Sequence, residues 1–281
     1  MGFLYLTLVV LAITAVALLA KMAARRQVTA LDLSAWLFIW GAALGAVVLG
    51  GQGLVKGAAN VWLFASVAGV GGAFAVLAFN VAVREGHFGF SNAIYRSSFL
   101  IPIVYAVLFM GATLRWTTVL GIALILCALF LMSWSAEAGG NRKSLRWFVL
   151  IFTAFLLSGA PRVGQNLTSA RGGDFFLYLF LSYAVGAGIF LLAMASRRTP
   201  GSPAAIRWGA GAALASYLGV FCTLSALKTL KPQVVFPISL SGPIILGMLL
   251  SLFLFREKIR FTGWLGVVLG VCGIIILSVW K

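Results

Sequence analysis

The sequence predicts an all-α, polytopic membrane protein with ten transmembrane helices in two inverted five-helix repeats. Of its 281 residues, 62% are hydrophobic and only 9% are charged. A soluble domain needs a more polar surface than this composition can supply. In ordinary soluble proteins about a quarter of the residues are charged. This composition excludes a soluble enzyme and a disordered or fibrous chain. The two repeats are predicted from a second observation, the sequence similarity between the two halves of the chain.

Long apolar segments recur along the chain, and each approaches the roughly 20 residues that a helix needs to cross a bilayer. They predict helices at residues 3–20, 33–50, 61–83, 91–111, 116–134, 147–168, 174–196, 208–227, 232–254 and 262–280. The segments between them are too short to hold a soluble domain. A β-barrel is not expected, because the apolar runs do not alternate with polar residues.

The chain contains an internal repeat. Leu114–Ser133 aligns without a gap with Ile259–Ser278, and seven of the twenty positions are identical. The repeat predicts two domains, residues 1–140 and residues 141–281, each with five helices. An odd number of helices places the second half upside down relative to the first, which is typical of secondary transporters.

Lysine and arginine are distributed unequally between the two sides of the predicted bundle. The loops after the odd-numbered helices hold thirteen of these residues, and the opposite side holds six. The positive-inside rule then places both termini outside. The net charge of +16 lies mostly between the apolar runs. It therefore indicates orientation in the membrane and contact with anionic lipid, and no nucleic-acid partner is expected.

Two arginines, Arg96 and Arg162, fall inside predicted helices. A cation there is costly in lipid and normally faces a polar interior or a partner, although long side chains also reach an interface. The five acidic residues all lie at helix ends or in loops. Exchange of a cationic drug for a proton usually relies on a membrane-embedded carboxylate. An interior lined by arginine and neutral polar groups suits a carboxylate or phosphate instead.

Polar residues at spacings of three and four share helical faces with these arginines. They predict one central cavity between the first, third, fourth, sixth, eighth and ninth predicted helices. The candidate substrate-binding residues are Arg96, Arg162, Asn92, Tyr95, Asn80, Gln165, Tyr217, Gln233 and Thr14. The alternative for any single neutral residue is a hydrogen bond between helices that contributes only to packing.

Small residues and prolines mark further features of the predicted helices. Gly41 and Gly45 form a GxxxG pattern, and a glycine stripe with Gly266 runs along the last helix. Both predict close helix packing within the chain. Prolines that interrupt helices, such as Pro102 and Pro161, mark either hinges or simple kinks. No cofactor or metal is expected, because the single histidine and the three cysteines form no cluster.

The pattern of two five-helix halves resembles the drug/metabolite transporter superfamily, and specifically its EamA-like family. Pro243–Ile259 resembles that family's Pro-to-Glu signature at the end of the ninth helix, and Thr262 and Gly266 continue it. Lys21, at the end of the first helix, resembles a cation common in the family. The sequence departs from the family at Ala112, where a glutamate is expected.

The resemblance implies a carrier, not an enzyme, that exports amino acids or related metabolites by alternating access from a bacterial inner membrane. The interior itself favours an anionic or zwitterionic solute held by Arg96 and Arg162. Expected partners are this solute, the lipid bilayer and a possible coupling ion, with the chain as a monomer. Members of the family keep both termini in the cytoplasm, whereas the charge distribution predicts the reverse, so the orientation stays open. A multidrug exporter, a lipid-modifying enzyme and a channel are the alternatives.

Overall fold

The computed structural model describes residues 1–51, 59–85, 88–135, 145–197, 202–255 and 261–279. Within these ranges the chain forms helices joined by turns, without a β-strand. The α-helices are α1 (Gly2–Arg25), α2 (Ala30–Gly50), α3 (Ala59–Glu85), α4 (Phe88–Arg96), α5 (Leu100–Met110), α6 (Trp116–Ser135), α7 (Leu145–Ala170), α8 (Phe175–Arg197), α9 (Pro203–Leu227), α10 (Pro232–Phe255) and α11 (Phe261–Val279). The predicted fourth helix corresponds to α4 and α5, which a 3-10 turn at Ser97–Phe99 joins.

The all-α, polytopic membrane class is confirmed. In the described part of the chain, nine helical stretches are long and apolar enough to cross a membrane, one of which is Ser91–Met110 across α4 and α5. A shorter apolar stretch, Trp116–Met132, lies in α6. Each helix predicted from the sequence therefore has its counterpart in the structure.

Two helices begin earlier than the apolar pattern predicts, because polar residues cap their first turns. The side-chain oxygen of Ser202 accepts a hydrogen bond from the backbone N–H of Ala205 at 3.1 Å, and Pro203 follows as the first helical residue. The hydroxyl of Thr29 accepts in the same way from the backbone N–H of Asp32 at 3.1 Å. Such caps stabilise the first turn of a helix, because they satisfy a backbone N–H that has no partner within the helix.

In each of the main helix pairs, one helix comes from the first half of the chain and the other from the second half. The main contacts join α1 to α9, α3 to α7, α2 to α8 and α6 to α11. When α1, α2, α3, α4 with α5, and α6 are exchanged for α7, α8, α9, α10 and α11, these pairs map onto one another. The spacing between corresponding helix starts is nearly constant, and it agrees with the repeat found in the sequence.

The turn between α1 and α2 has the same form as the turn between α7 and α8. Gln27 has φ 59° and Gly172 has φ 64°, and each lies just after the end of its helix. Thr29 caps α2, and Asp174 caps α8 by accepting from the backbone N–H of Leu177 at 2.7 Å. The two turns therefore fix the alignment of the helices that they join, with Gln27 equivalent to Gly172 and Thr29 equivalent to Asp174.

Glycines allow the helices to approach closely, as the sequence predicts. A Cβ atom on Gly45 of α2 would lie 2.8 Å from the Cα atom of Phe180 in α8. A Cβ atom on Gly266 of α11 would lie 2.6 Å from the Cγ atom of Met132 in α6. Both contacts are within the chain, so these glycines serve internal packing.

Candidate functional site

A cavity of about 460 Å³ lies between helices of the first half of the chain and helices of the second half. Its walls come from α1, α2, α3, α4, α7, α8, α9 and α10. The volume lies within the range of small-molecule sites, roughly 300–1,000 Å³. The sequence predicted contributions from all of these helices except α2 and α8.

Five of the nine predicted substrate-binding residues line this cavity, and their binding role stays a prediction. They are Asn80, Tyr95, Arg96, Arg162 and Gln165. They come from α3, α4 and α7, which lie far apart in sequence. The structure therefore gathers on one side of the cavity the two arginines that the sequence singled out.

The other four predicted residues do not line the cavity. The hydroxyl of Thr14 donates to the carbonyl of Val10 in its own helix at 2.6 Å. The ring of Tyr217 stacks on that of Tyr183 with centroids 6.0 Å apart. Gln233 is buried in the first turn of α10, and Asn92 is half-buried in α4. Helical spacing identifies a face but not the depth of each residue along it.

Arg96 lies at the point where the fourth membrane-spanning segment changes from an α-helix to a 3-10 turn. α4 ends at Arg96, and the 3-10 turn Ser97–Phe99 follows. Pro102 has no N–H to donate to the carbonyl of Ser98, so the α-helical hydrogen-bond ladder cannot continue through this point. A 3-10 turn within a longer helix often marks a functional hinge.

Two nitrogen donors in the cavity wall are buried without a hydrogen-bond partner among the described residues. They are Nε of Arg96 and Nδ2 of Asn80. Tyr95 also lines this wall, and its ring packs on that of Phe79 with centroids 4.7 Å apart. Buried donors without an acceptor are costly, so this wall is suited to a ligand that brings acceptor oxygens.

Arg162 follows a proline that interrupts α7. One terminal guanidinium nitrogen of Arg162 donates to the backbone carbonyl of Ser158. The hydroxyl of Tyr178 in α8 donates to the carbonyl of Pro161 at 2.7 Å. These two hydrogen bonds hold the guanidinium of Arg162 and the carbonyl of Pro161 in place beside the cavity.

The cavity has an excess of positive charge. Arg96 and Arg162 both line the cavity. Among the described residues of its wall there is no aspartate or glutamate. Two like charges in a site of reduced dielectric repel each other, so an anion between them stabilises the arrangement.

The opposite wall is mostly apolar. The apolar lining residues from α1, α2, α9 and α10 include Val9, Ile13, Val16, Ala17, Leu37, Phe38, Val220, Phe236 and Leu240. These residues form a surface on which the hydrocarbon part of a ligand can lie.

Sequence reasoning missed several hydroxyl-bearing residues of the cavity. They are Ser34, Tyr178, Ser182, Tyr183, Ser216 and Thr223, together with Ser239. The hydroxyls of Tyr183 and Ser216 form a hydrogen bond of 2.7 Å. Tyr178 and Ser182 stand four residues apart in α8, and this spacing was the signal available in the sequence.

A second pocket of about 520 Å³ lies near the start of α8 and the end of α9. Nζ of Lys228 lies 4.3 Å from the centroid of the Phe175 ring, and Asp174 also lines the pocket. Within the described ranges, no group of three or more His, Cys, Asp and Glu residues is placed to hold a metal ion. His87, Glu137 and Glu257 lie outside the described residues.

Comparisons with known proteins agree with this architecture. Residues 145–279 match the EamA-like transporter family. An uncharacterised protein of Haemophilus influenzae is 22% identical over 189 residues, which cover 66% of this chain and 65% of that protein. A crystal structure of a protein 18% identical in sequence superposes with a TM-score of 0.73 and covers 97% of this chain and 96% of its own. That likeness concerns the fold alone.

Proposed function

We propose that this multi-pass membrane protein is a secondary transporter of small anionic or zwitterionic metabolites. The match of residues 145–279 to the EamA-like transporter family supports the proposal. The observation that carries the proposal is the pair Arg96 and Arg162 in one cavity, with no acidic residue in its described wall. Arginine binds carboxylate and phosphate groups through paired hydrogen bonds.

The proposal includes alternating access between two inverted repeats, residues 1–140 and residues 141–281. It is supported by the nearly constant spacing of corresponding helix starts. It is also supported by the helix contacts, which map onto one another when the two halves are interchanged. The cavity lies between helices of the two halves, so rocking of one half against the other would expose it to each side in turn. Amino acids or similar metabolites, moved outward across a bacterial inner membrane, are the proposed cargo.

The orientation in the membrane is also part of the proposal. Lys21 and Arg25 at the end of α1 belong to the side richer in cations, which the positive-inside rule assigns to the cytoplasm. Both termini then lie outside. Gly172→Cys, on the opposite side and in a background without the three native cysteines, is labelled in intact cells with an impermeant maleimide. Labelling is expected, and protection until the cells are opened would contradict the assignment.

A transport assay with single arginine variants tests the function. Amino acids, organic acids, nucleotides and drugs are first screened for thermal stabilisation of the purified protein. The strongest stabiliser is then supplied in labelled form to proteoliposomes. Arg96→Ala and Arg162→Ala should each lower transport about 10-fold or more, since a hydrogen bond to a charged group contributes about 1.5–3 kcal/mol. Arg26→Ala, at an exposed position outside the cavity, is the matched control.

Transport by both cavity variants at the rate of the parent would show that these arginines do not bind the substrate. The apolar wall supports one second candidate, a multidrug exporter. That candidate predicts transport of apolar compounds that is unaffected by either arginine variant. Saturable counterflow distinguishes both carriers from a channel.

A further inference from the structure

The residues of the cavity wall correspond in pairs between the two halves of the chain. When α4 and α10 are aligned at their first residues, Phe88 and Pro232, Arg96 corresponds to Leu240 and Tyr95 to Ser239. Both pairs line the cavity. The wall is therefore built from equivalent positions of the two helices.

α7 and α1 show the same relation. The turns that follow these helices align them, because Gly172 and Gln27 have the same positive φ. In this alignment Arg162 corresponds to Ala17, and Gln165 corresponds to Ala20. Both pairs again line the cavity. The cavity is thus approximately twofold symmetric in the positions that form it.

The corresponding positions of the two halves carry side chains of different polarity. The arginine half-site on α4 and α7 consists of Arg96, Ser158, Arg162 and Gln165. The apolar half-site on α10 and α1 consists of their counterparts in the same order, Leu240, Ile13, Ala17 and Ala20. One half-site offers polar groups and positive charge, and the other offers only hydrocarbon side chains.

Ser239, the counterpart of Tyr95, does not change this division. Its hydroxyl donates to the carbonyl of Phe236 in its own helix at 3.1 Å, and its side chain is buried. The donor of Ser239 is therefore already used within α10. The hydroxyl of Ser158 is used in the same way, since it donates to the carbonyl of Phe155 in α7 at 2.9 Å. The difference between the half-sites therefore rests on Arg96, Arg162 and Gln165 and their apolar counterparts.

We propose that the substrate is an amphipathic organic anion with a net negative charge. Its carboxylate or phosphate group binds at the arginine half-site, and its apolar body lies on the apolar half-site. This inference rests on the proposed function and narrows its substrate class, because it disfavours zwitterionic amino acids.

The reason for disfavouring zwitterions is electrostatic. The ammonium group of an amino acid would lie within a few bonds of the carboxylate held by Arg96 and Arg162, which repel it. In the described wall of the cavity no carboxylate is available to pair with it. Burial of an unpaired ammonium group is strongly unfavourable.

Three probe molecules with one phenylethyl body test the charge requirement. They are 3-phenylpropionate, an anion; phenylalanine, a zwitterion; and 2-phenylethylamine, a cation. Their binding to the purified full chain is measured by calorimetry, and their transport by counterflow in proteoliposomes. We expect 3-phenylpropionate to bind at least ~10-fold more tightly than phenylalanine, and the amine to show no saturable binding.

A second measurement tests the apolar half-site through the difference between propionate and 3-phenylpropionate. Leu240→Asn should reduce the affinity advantage of 3-phenylpropionate at least ~3-fold, because a polar group replaces hydrocarbon contact with the body. Leu240→Met, which keeps the hydrocarbon surface, should retain the advantage. An unchanged advantage in Leu240→Asn, with propionate still bound, would overturn the placement of the body.

The outcomes separate this inference from the function on which it rests. If phenylalanine binds as tightly as 3-phenylpropionate and loses affinity in Arg96→Ala, the net-anion inference is wrong and the arginine site stands. If binding of 3-phenylpropionate is the same in the parent and in Arg96→Ala, both are wrong. Absence of saturable binding by all three probes would also overturn the inference.

Discussion

The contact between α6 and α11 and the central cavity are both formed by equivalent residues of the two halves, but they differ in chemistry. In the contact, Gly121 faces Leu277 and Gly266 faces Met132, so a glycine meets a long apolar side chain twice. The two glycines are equivalent positions of the sequence repeat, and so are Met132 and Leu277. In the cavity, by contrast, arginine corresponds to leucine or alanine.

This difference shows what each region requires of its side chains. A Cβ atom would lie 2.8 Å from Cγ of Leu277 at Gly121 and 2.6 Å from Cγ of Met132 at Gly266. Close packing depends on shape, so equivalent positions of the contact must both be small. The cavity wall does not close against a neighbour. Equivalent positions there need only surround a space, and their chemistry is free to differ.

The largest expected effect is loss of the folded protein when either glycine of the contact is enlarged. Gly121→Leu and Gly266→Leu should each destabilise the protein by about 3 kcal/mol or more, because both overfill a tight helix contact. The yield of monodisperse protein in detergent after a temperature series measures this. Gly188→Leu in α8 is the control, since its added Cβ atom would have no neighbour within 4 Å. If only one of the two glycines proved sensitive, the contact would not be symmetric.

The second effect concerns the cavity and depends on exchanging its half-sites. The double variant Arg96→Leu with Arg162→Ala replaces each arginine by the residue that stands at its equivalent position in the other half. Binding of 3-phenylpropionate by this variant should be ~100-fold weaker or more. Adding Leu240→Arg and Ala17→Arg to that variant moves both charges to the equivalent positions. At least ~10-fold of the lost affinity should return, as measured by calorimetry on monodisperse protein. A folded fourfold variant without binding would contradict the equivalence of the two half-sites.

The smallest effect concerns the hydrogen bond between Tyr183 and Ser216. Tyr183→Phe copies Phe38, the equivalent residue of the first half, and removes one partner of this 2.7 Å bond. It should cost about 0.5–1.5 kcal/mol of stability, visible as a lower midpoint of thermal unfolding in detergent. Ser216→Ala should cost a similar amount. The double variant should be no less stable than the worse single one, and additive losses would contradict a shared bond. Tyr105→Phe is the matched tyrosine control.

Much of the fold could be predicted from the sequence, because the bilayer imposes one strong rule. A spanning segment must bury its backbone polar groups within a helix, so a long apolar run predicts a helix directly. The errors at helix ends, as at Pro203 and Ala30, arose where a capping hydroxyl replaces apolar character. The 3-10 turn after Arg96 could not be placed from Pro102 alone, since a proline permits a kink, a hinge or a 3-10 turn.

The candidate site could be predicted only in part. A charge inside an apolar run is costly wherever it lies, so Arg96 and Arg162 were identifiable from their positions in the sequence. Ser216 and Thr223 were not, because hydroxyl groups are common in membrane helices and most contribute only to packing. Gln233 has the same helical spacing as cavity residues, but its depth in the bundle is decided by how the helices cross.

The amino-acid sequence was enough to establish that this chain crosses a membrane, where its helices lie, and which two cations are costly to place in lipid. Those properties follow from the cost of transferring each segment between water and hydrocarbon, which depends on the segment alone. The packing of the helices was needed to show that both cations lie in one cavity and that the equivalent positions in its wall are apolar. The cavity wall combines residues of α4, α7, α10 and α1, and it exists only after these helices have packed together.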